Sequence, residues 1–199
     1  MKNNSKIKYQ PSAIGSIPTD WTIGKVKDSM SICNNNRTPI NAEERSKISG
    51  VYPYYGPTKI QDHLDIWNYD GEYVLIAEDG DHFLKYSYLP MTQLASGKFN
   101  ANNHVHVLKG TSSCLTEWFY WFFNHRNVCR SITLQGVARY KLNKAALGGM
   151  LIAIPPIEDQ QKIAKILSTW DEAIASTQAL IAKLELRKKG LMQQLLTGK

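Results

Sequence analysis

Along the last fifth of the chain, apolar residues recur in alternating steps of four and three. They are Ile163, Leu167, Trp170, Ile174, Ile181, Leu184, Leu191 and Leu195, with Thr177 and Lys188 in the two remaining places of the seam. A period of about 3.5 residues belongs to helices supercoiled on a partner rather than to a lone surface helix. Ile166, Ala173 and Leu180 widen the stripe. The ends fit a helix: Pro155 and Pro156 precede it, and Glu158 and Asp159 supply the anions its first turn favours. Lys188 and Lys189 lie toward its C-terminal end, and Gly198 can stop it. Gly190 is the misfit, at about 1 kcal/mol relative to alanine. From Glu158 to Thr197 the rod is roughly 60 Å long. That is too long to be covered by one small domain, so a spacer or dimerisation arm is predicted rather than a helix packed on its own domain.

Upstream the pattern changes to short strands and turns. Ile17 to Trp21 opens the ordered part, Thr22 to Ile32 holds a short strand and a helical turn, and Asn34 to Pro39 is a polar loop. Asn41 to Lys47 reads as a short charged helix and Val51 to Pro57 as an extended aromatic segment. Glu72 to Ala77 is a β-rich run closed by Asp79-Gly80, and His104 to Leu108 is another strand. Leu115 to Asn124, dense in aromatic residues, is predicted to be a buried helix. Ile132 to Gly136 begins a turn, and Leu151 to Ile154 is the last strand. The fold class is α+β: a globular domain of short strands and helices over 17–156, then a long coiled-coil helix over 157–199. Residues 1–16 are predicted to be a mobile lead-in. No internal repeat is visible.

Composition narrows this picture. With 199 residues, 43% of them hydrophobic, there is material for one domain with a core plus an appendage. No apolar run has the length of a membrane span, and the polar N-terminus does not resemble a signal peptide. Cys33, Cys114 and Cys129 form no C-x-x-C pair, which fits a reducing cytoplasm better than a disulfide scaffold or a structural zinc site. The net charge is +7; residues 1–156 hold 17 Lys and Arg against 12 Asp and Glu, and residues 157–199 hold 7 against 5. Most of the excess therefore lies on the globular part, which is compatible with a polyanionic partner such as DNA.

Catalytic patterns are sparse. There is no P-loop, no Asp/Asn-Pro-Pro-aromatic loop of amino-methyltransferases and no Glu-x-Lys nuclease arrangement. Glu78-Asp79-Gly80-Asp81-His82 could hold a divalent metal, but at a strand–turn boundary it reads more simply as a solvated Asp-Gly turn. His104 and His106 lack a third ligand at zinc spacing. Binding chemistry is better represented. Asn36, Arg37, Tyr54, Tyr55, Lys59, Lys85, Asn102, His104, Gln135 and Arg139 all fall in polar or loop-like segments. Asn, Gln and Arg pair with base edges, whereas Lys and Tyr position phosphates. Those ten are the candidate DNA contacts; no catalytic residue and no metal ligand is assigned.

With these segments in place, the chain resembles the specificity subunit of type I restriction–modification systems over nearly its whole length. The resemblance rests on Ile17-Pro18-Thr19-Asp20-Trp21 with Gly24-Lys25-Val26, on Tyr52-Pro53-Tyr54-Tyr55-Gly56-Pro57, and on Val74 to Gly80. Asn102 to Leu108, Gln135 to Asn143, Pro155 to Ile163 and Gln194 to Lys199 extend it. The helix entry at Pro155 to Ile163 is the most specific of these segments. The resemblance implies a target recognition domain fused to one conserved-region spacer helix, which dimerises and docks other subunits. It implies a non-catalytic reader of double-stranded DNA that recognises an interrupted site. Modification subunits bringing S-adenosylmethionine and motor restriction subunits using ATP and magnesium would act with it. The chain is about half the family's usual length, either a half-subunit or a fragment, so a homodimer through the C-terminal helix and an inverted-repeat site are expected. The alternatives are a stand-alone nuclease or modification enzyme built on the acidic cluster, and a coiled-coil adaptor without DNA binding.

Overall fold

The computed structural model describes residues 7–135 and 139–198. The chain divides into two compact units, Met1–Gln161 and Lys162–Lys199.

In chain order the first unit holds β1 (Tyr9–Gln10), β2 (Ile17–Pro18), β3 (Thr22–Lys25), α1 (Val26–Ser29), β4 (Ser31–Ile32), α2 (Ala42–Lys47), β5 (Ser49–Tyr55) and β6 (Ile60–Leu64). There follow β7 (Tyr69–Asp70), β8 (Tyr73–Ala77), β9 (Thr92–Ala95), β10 (Lys98–Ala101), β11 (Val105–Lys109) and α3 (Thr116–Phe123). The hairpin strands β12 (Thr133–Gln135) and β13 (Arg139–Lys141), then α4 (Lys144–Gly149) and β14 (Leu151–Ile154), complete it. The long helix α5 (Ile157–Thr197) begins in the first unit and makes up the second.

Two four-stranded sheets carry the first unit, ordered β6-β5-β10-β7 and β4-β11-β8-β9. The second is antiparallel throughout; in the first, β10 runs parallel to β5. Strand β8 reads Tyr-Val-Leu-Ile-Ala and is buried at four consecutive positions, so its continuous apolar run reflects cover on both faces rather than alternation. A cluster of Leu75, Val105, Val107, Phe99, Tyr69 and Tyr55 fills the core. Within it Tyr69 stacks on Phe99 at 5.0 Å and Tyr55 meets Phe99 edge-on at 5.5 Å, the geometries that ring quadrupoles favour. On α3, Trp118, Phe119 and Phe123 are buried. Trp118 Nε1 donates to Ala153 O at 2.8 Å, so the ring fills the core and its polar edge is satisfied by β14. The strand β14 pairs with β3, Ile154 opposite Thr22, which joins the two ends of this unit.

The lead-in differs from expectation. Tyr9–Gln10 pairs with Ile17–Pro18, and Gln10 Nε2 donates to Trp21 O at 3.1 Å. Residues 7–16 therefore lie in an ordered hairpin, because a side-chain amide supplies the anchor that apolar residues do not. The turn expected at 132–136 is instead β12, paired with β13. The charged helix at Asn41–Lys47 is present as α2, with Asn41 and Glu44 forming a reciprocal capping box. No helix of the described residues is long and apolar enough to cross a membrane.

Candidate nucleic-acid interface

Two loops define one groove. The first is the turn between β5 and β6, closed by Gly56 N donating to Lys59 O at 2.9 Å. Gln93 Nε2, on β9, pins it through Gly56 O at 2.9 Å and Pro57 O at 3.2 Å. The second follows β8: Glu78-Asp79-Gly80, then a 3-10 turn over Asp81–Lys85. Gly80 holds φ +135°, and an added Cβ would meet His82 Nδ1 at 2.6 Å, so both the backbone and the imbricated imidazole require glycine there. Between the loops lies an open groove of about 540 Å³, with Lys59, Lys85, Asp79 and Asp81 on its walls.

A network behind the groove sets the second loop. Arg37 Nη1 donates to Glu78 Oε2 at 2.8 Å, Asn103 O at 2.9 Å and Val105 O at 3.0 Å, while Nε donates to Asn34 O at 3.1 Å. Glu78 also meets Lys141 Nζ at 3.4 Å. Burial opposes its charge, but the Arg37 hydrogen bond, the His106 and Arg37 charges and Lys141 outweigh it and hold the carboxyl below its ordinary range. The fully buried His106 bridges the same region. Val107 N donates to Asn34 Oδ1 at 3.0 Å, which turns the Asn34 amide nitrogen toward His106 Nδ1 at 2.9 Å. Nδ1 must then accept, and Nε2–H donates to Leu142 O at 2.7 Å. Backbone bonds from Gly80 N to Tyr140 O and from Leu142 N to Glu78 O, at 3.1 and 2.7 Å, fasten the base of the β12–β13 hairpin to the loop.

The candidate contacts separate accordingly. Lys59 is exposed and Lys85, bonded to Asp81 at 2.9 Å, lies across the groove from it. His104 Nδ1 contacts Asp79 Oδ2 at 2.8 Å beside them. Asn102 turns inward, its Oδ1 accepting from His104 N at 3.1 Å, and shapes the loop. Asn36 is exposed in a 3-10 turn, reaching Asn68 O at 3.5 Å. Three assignments are corrected. Tyr54 is fully buried, its hydroxyl donating to Thr38 O and accepting from Ile40 N, both at 3.1 Å. Tyr55 belongs to the core. The alternation of β5 turns both rings toward apolar neighbours. Arg37, 18% exposed at its side chain, is held by four internal acceptors and serves the scaffold. The side chains of Gln135 and Arg139 lie outside the described residues; their backbones pair at the open end of the hairpin.

The acidic cluster is engaged by cationic or imidazole partners: Glu78 by Arg37 and Lys141, Asp79 by His104, Asp81 by Lys85. Among the described residues no group of three or more His, Cys, Asp or Glu could hold a metal ion. Sequence reading missed His82, buried at the groove with Nε2 lacking a hydrogen-bond partner, and Lys141. It also missed Trp67, 43% exposed, with Lys98 Nζ 3.8 Å over its ring and Tyr52 at 4.9 Å. A tryptophan in the polar run Asp65 to Asp70 was the available signal.

Comparison with known proteins gives this geometry its context. The profile of the family described as "Type I restriction modification DNA specificity domain" matches residues 18–186. A Haemophilus influenzae protein assigned as a type I restriction enzyme specificity subunit is 43% identical over 137 residues, 68% of this chain and 34% of that protein. The EcoDI specificity subunit of Escherichia coli is 25% identical over 185 residues, 92% of this chain and 38% of that protein. The crystal structure of a type I restriction–modification S subunit from M. genitalium superposes with a TM-score of 0.59 at 16% identity, covering 88% of this chain and 42% of that one. At that identity the likeness establishes the fold alone. The chain thus spans less than half the length of each of these three proteins. The profile match runs through both four-stranded sheets, the groove and most of α5, and on that extent the chain belongs to the type I restriction–modification DNA specificity domain family.

Proposed function

We propose that this chain is a non-catalytic reader of double-stranded DNA sequence. It works as a homodimer through its C-terminal helix and recognises an interrupted, inverted-repeat site. In this reading it directs adenine methylation and cleavage by partner modification and restriction subunits in the cytoplasm. The observation that carries the reading is the family match across 18–186. The groove supports it: Lys59 and Lys85 face each other across an opening flanked by the β12–β13 hairpin, and the carboxylates there are held by basic partners. The exposed seam of α5 supports the dimer. The chain itself holds no cofactor in this reading; S-adenosylmethionine, magnesium and ATP serve the partner subunits.

The test uses the purified chain and a random duplex library. It is expected to bind duplex DNA with an affinity that falls steeply with salt, and to leave that DNA uncut and unmethylated with magnesium and S-adenosylmethionine present. Lys59→Ala and Lys85→Ala should each weaken binding and lower the salt slope by about one where the lysine meets a phosphate. Cleavage or methylation by the chain alone would restore the enzyme alternative. Salt-independent or absent binding would leave the coiled-coil adaptor.

A further inference from the structure

In the unit Lys162–Lys199, large apolar side chains lie exposed along one continuous helix, Trp170 at 67% and Leu184 at 52%. Thr177 and Lys188 are the polar members of its seam. Their positions constrain what can cover it. In a parallel, in-register pair every seam residue meets itself, so two Lys188 ammonium groups would face each other. In an antiparallel pair the seam packs in layers, each joining a residue near one end to a residue near the other.

Resting on the homodimer reading, we infer that a second copy of this chain covers the seam antiparallel, with the two-fold axis passing between Ala182 and Lys183. This register places Ile181 against the partner's Leu184, Ile174 against the partner's Leu191 and Trp170 against the partner's Leu195. Thr177 then falls opposite the partner's Lys188, so both polar residues share one layer and the other layers are apolar. A slip of one heptad in either direction puts Thr177 against the partner's Ile181 or Leu195. The same slips put Lys188 against the partner's Trp170 or Leu184, stranding an ammonium on an apolar side chain. Beside the seam, Glu185 comes next to the partner's Gln178 and Arg187 next to the partner's Leu180, so no like charges meet. Thr177 Oγ1 donates to Ala173 O at 2.8 Å, which leaves its lone pairs for the partner's ammonium. The lysine stem is long enough to cover the seam while its charge reaches that hydroxyl and water. A polar pair at one layer selects register by penalising the alternatives. The helices then overlap from Ser168 to Thr197, and the two Gln161 residues stand roughly 65 Å apart along the rod.

The experiment is sedimentation equilibrium on the full chain with opposite charges at one position. Thr177→Glu places a carboxylate opposite the partner's Lys188 and should tighten the dimer several-fold; Thr177→Lys should loosen it by at least as much. In a parallel pair both changes set like charges face to face, and in a slipped pair both bury a charge on an apolar side chain, so both would loosen it. Mixed chains carrying Ile181→Cys and Leu184→Cys should form an oxidative cross-link joining those two positions, identified in the linked peptides by mass spectrometry. A dimer in which both Thr177 variants loosen, or which links Ile181→Cys chiefly to itself, overturns this register and leaves the homodimer standing. A wild-type chain monomeric at tens of micromolar overturns both.

Discussion

The Arg37 guanidinium illustrates how a basic loop residue can be committed to the interior. Its hydrogen bonds to Glu78 and to three backbone carbonyls tie the 34–37 turn to the loop after β8. Arg37→Ala should therefore cost about 2–3 kcal/mol of folding stability, since it strips a half-buried carboxylate of its main partner. Chemical denaturation checks this, and any loss of DNA affinity should track the unfolded fraction. Lys59→Ala should show the opposite pattern, with stability unchanged and affinity reduced. His106 predicts a pH dependence. Burial holds its imidazole below the ordinary 6.5, so the unfolded chain binds a proton first as pH falls. Stability should decline as the pH drops through that value, and His82, lowered by burial as well, acts in the same direction. Glu78, held below its ordinary 4.5, adds a further loss at more acid pH. Urea midpoints between about pH 7 and about pH 5 should show the decline, and His106→Gln should flatten it even though the variant is less stable. An unchanged slope would mean that the buried histidine does not govern this range.

Between elements, the entry of α5 shows what its motif is for. Gln160 is fully buried. Its Oε1 accepts from Leu115 N at 2.9 Å, and its Nε2 donates to Ser113 O and Pro155 O, each at 2.8 Å. One side chain thus satisfies backbone groups before α3 and before α5 where no regular ladder reaches them. Gln160→Ala should cost about 2–3 kcal/mol by leaving those groups unpaired. Gln160→Glu should not rescue it, because a carboxylate cannot donate to two carbonyls. Thermal melts of the two variants are the check. The helix itself was legible from its heptads, the capped α2 from Asn41 and Glu44, and β8 from its apolar run. Strands β6, β7 and β9 were not legible. Their residues alternate too briefly to signal a strand, and they exist because β5, β10 and β8 offer ladders to complete.

For the whole molecule, the inverted-repeat reading makes spacer length and base identity separable. Deleting residues 167–173 removes one heptad, keeps the seam continuous and retains the Thr177–Lys188 layer. Each recognition unit then moves about 10 Å toward the axis along the rod. Selection from random duplexes should return the same half-sites with a shorter gap. An altered half-site with an unchanged gap would place the spacing determinant in the globular unit instead. The same selection on wild-type protein should return a two-fold site, because a two-fold protein presents the same surface twice.

The sequence by itself determined what depends on local period and chemistry. The 3.5-residue repeat demanded a partner for α5, the aromatic run demanded burial of α3, and the motif set pointed to the family. Tertiary structure alone decided which polar and aromatic residues face outward. Tyr52, Tyr54 and Tyr55 lie within four positions of one strand, yet Tyr54 and Tyr55 are core while Tyr52 packs on the exposed Trp67. Arg37 and Lys59 look alike in sequence, but only Arg37 finds four acceptors within 3.1 Å. Those acceptors come from segments 34, 78, 103 and 105, which the sheets bring together across the chain, and no local pattern records such distant neighbours.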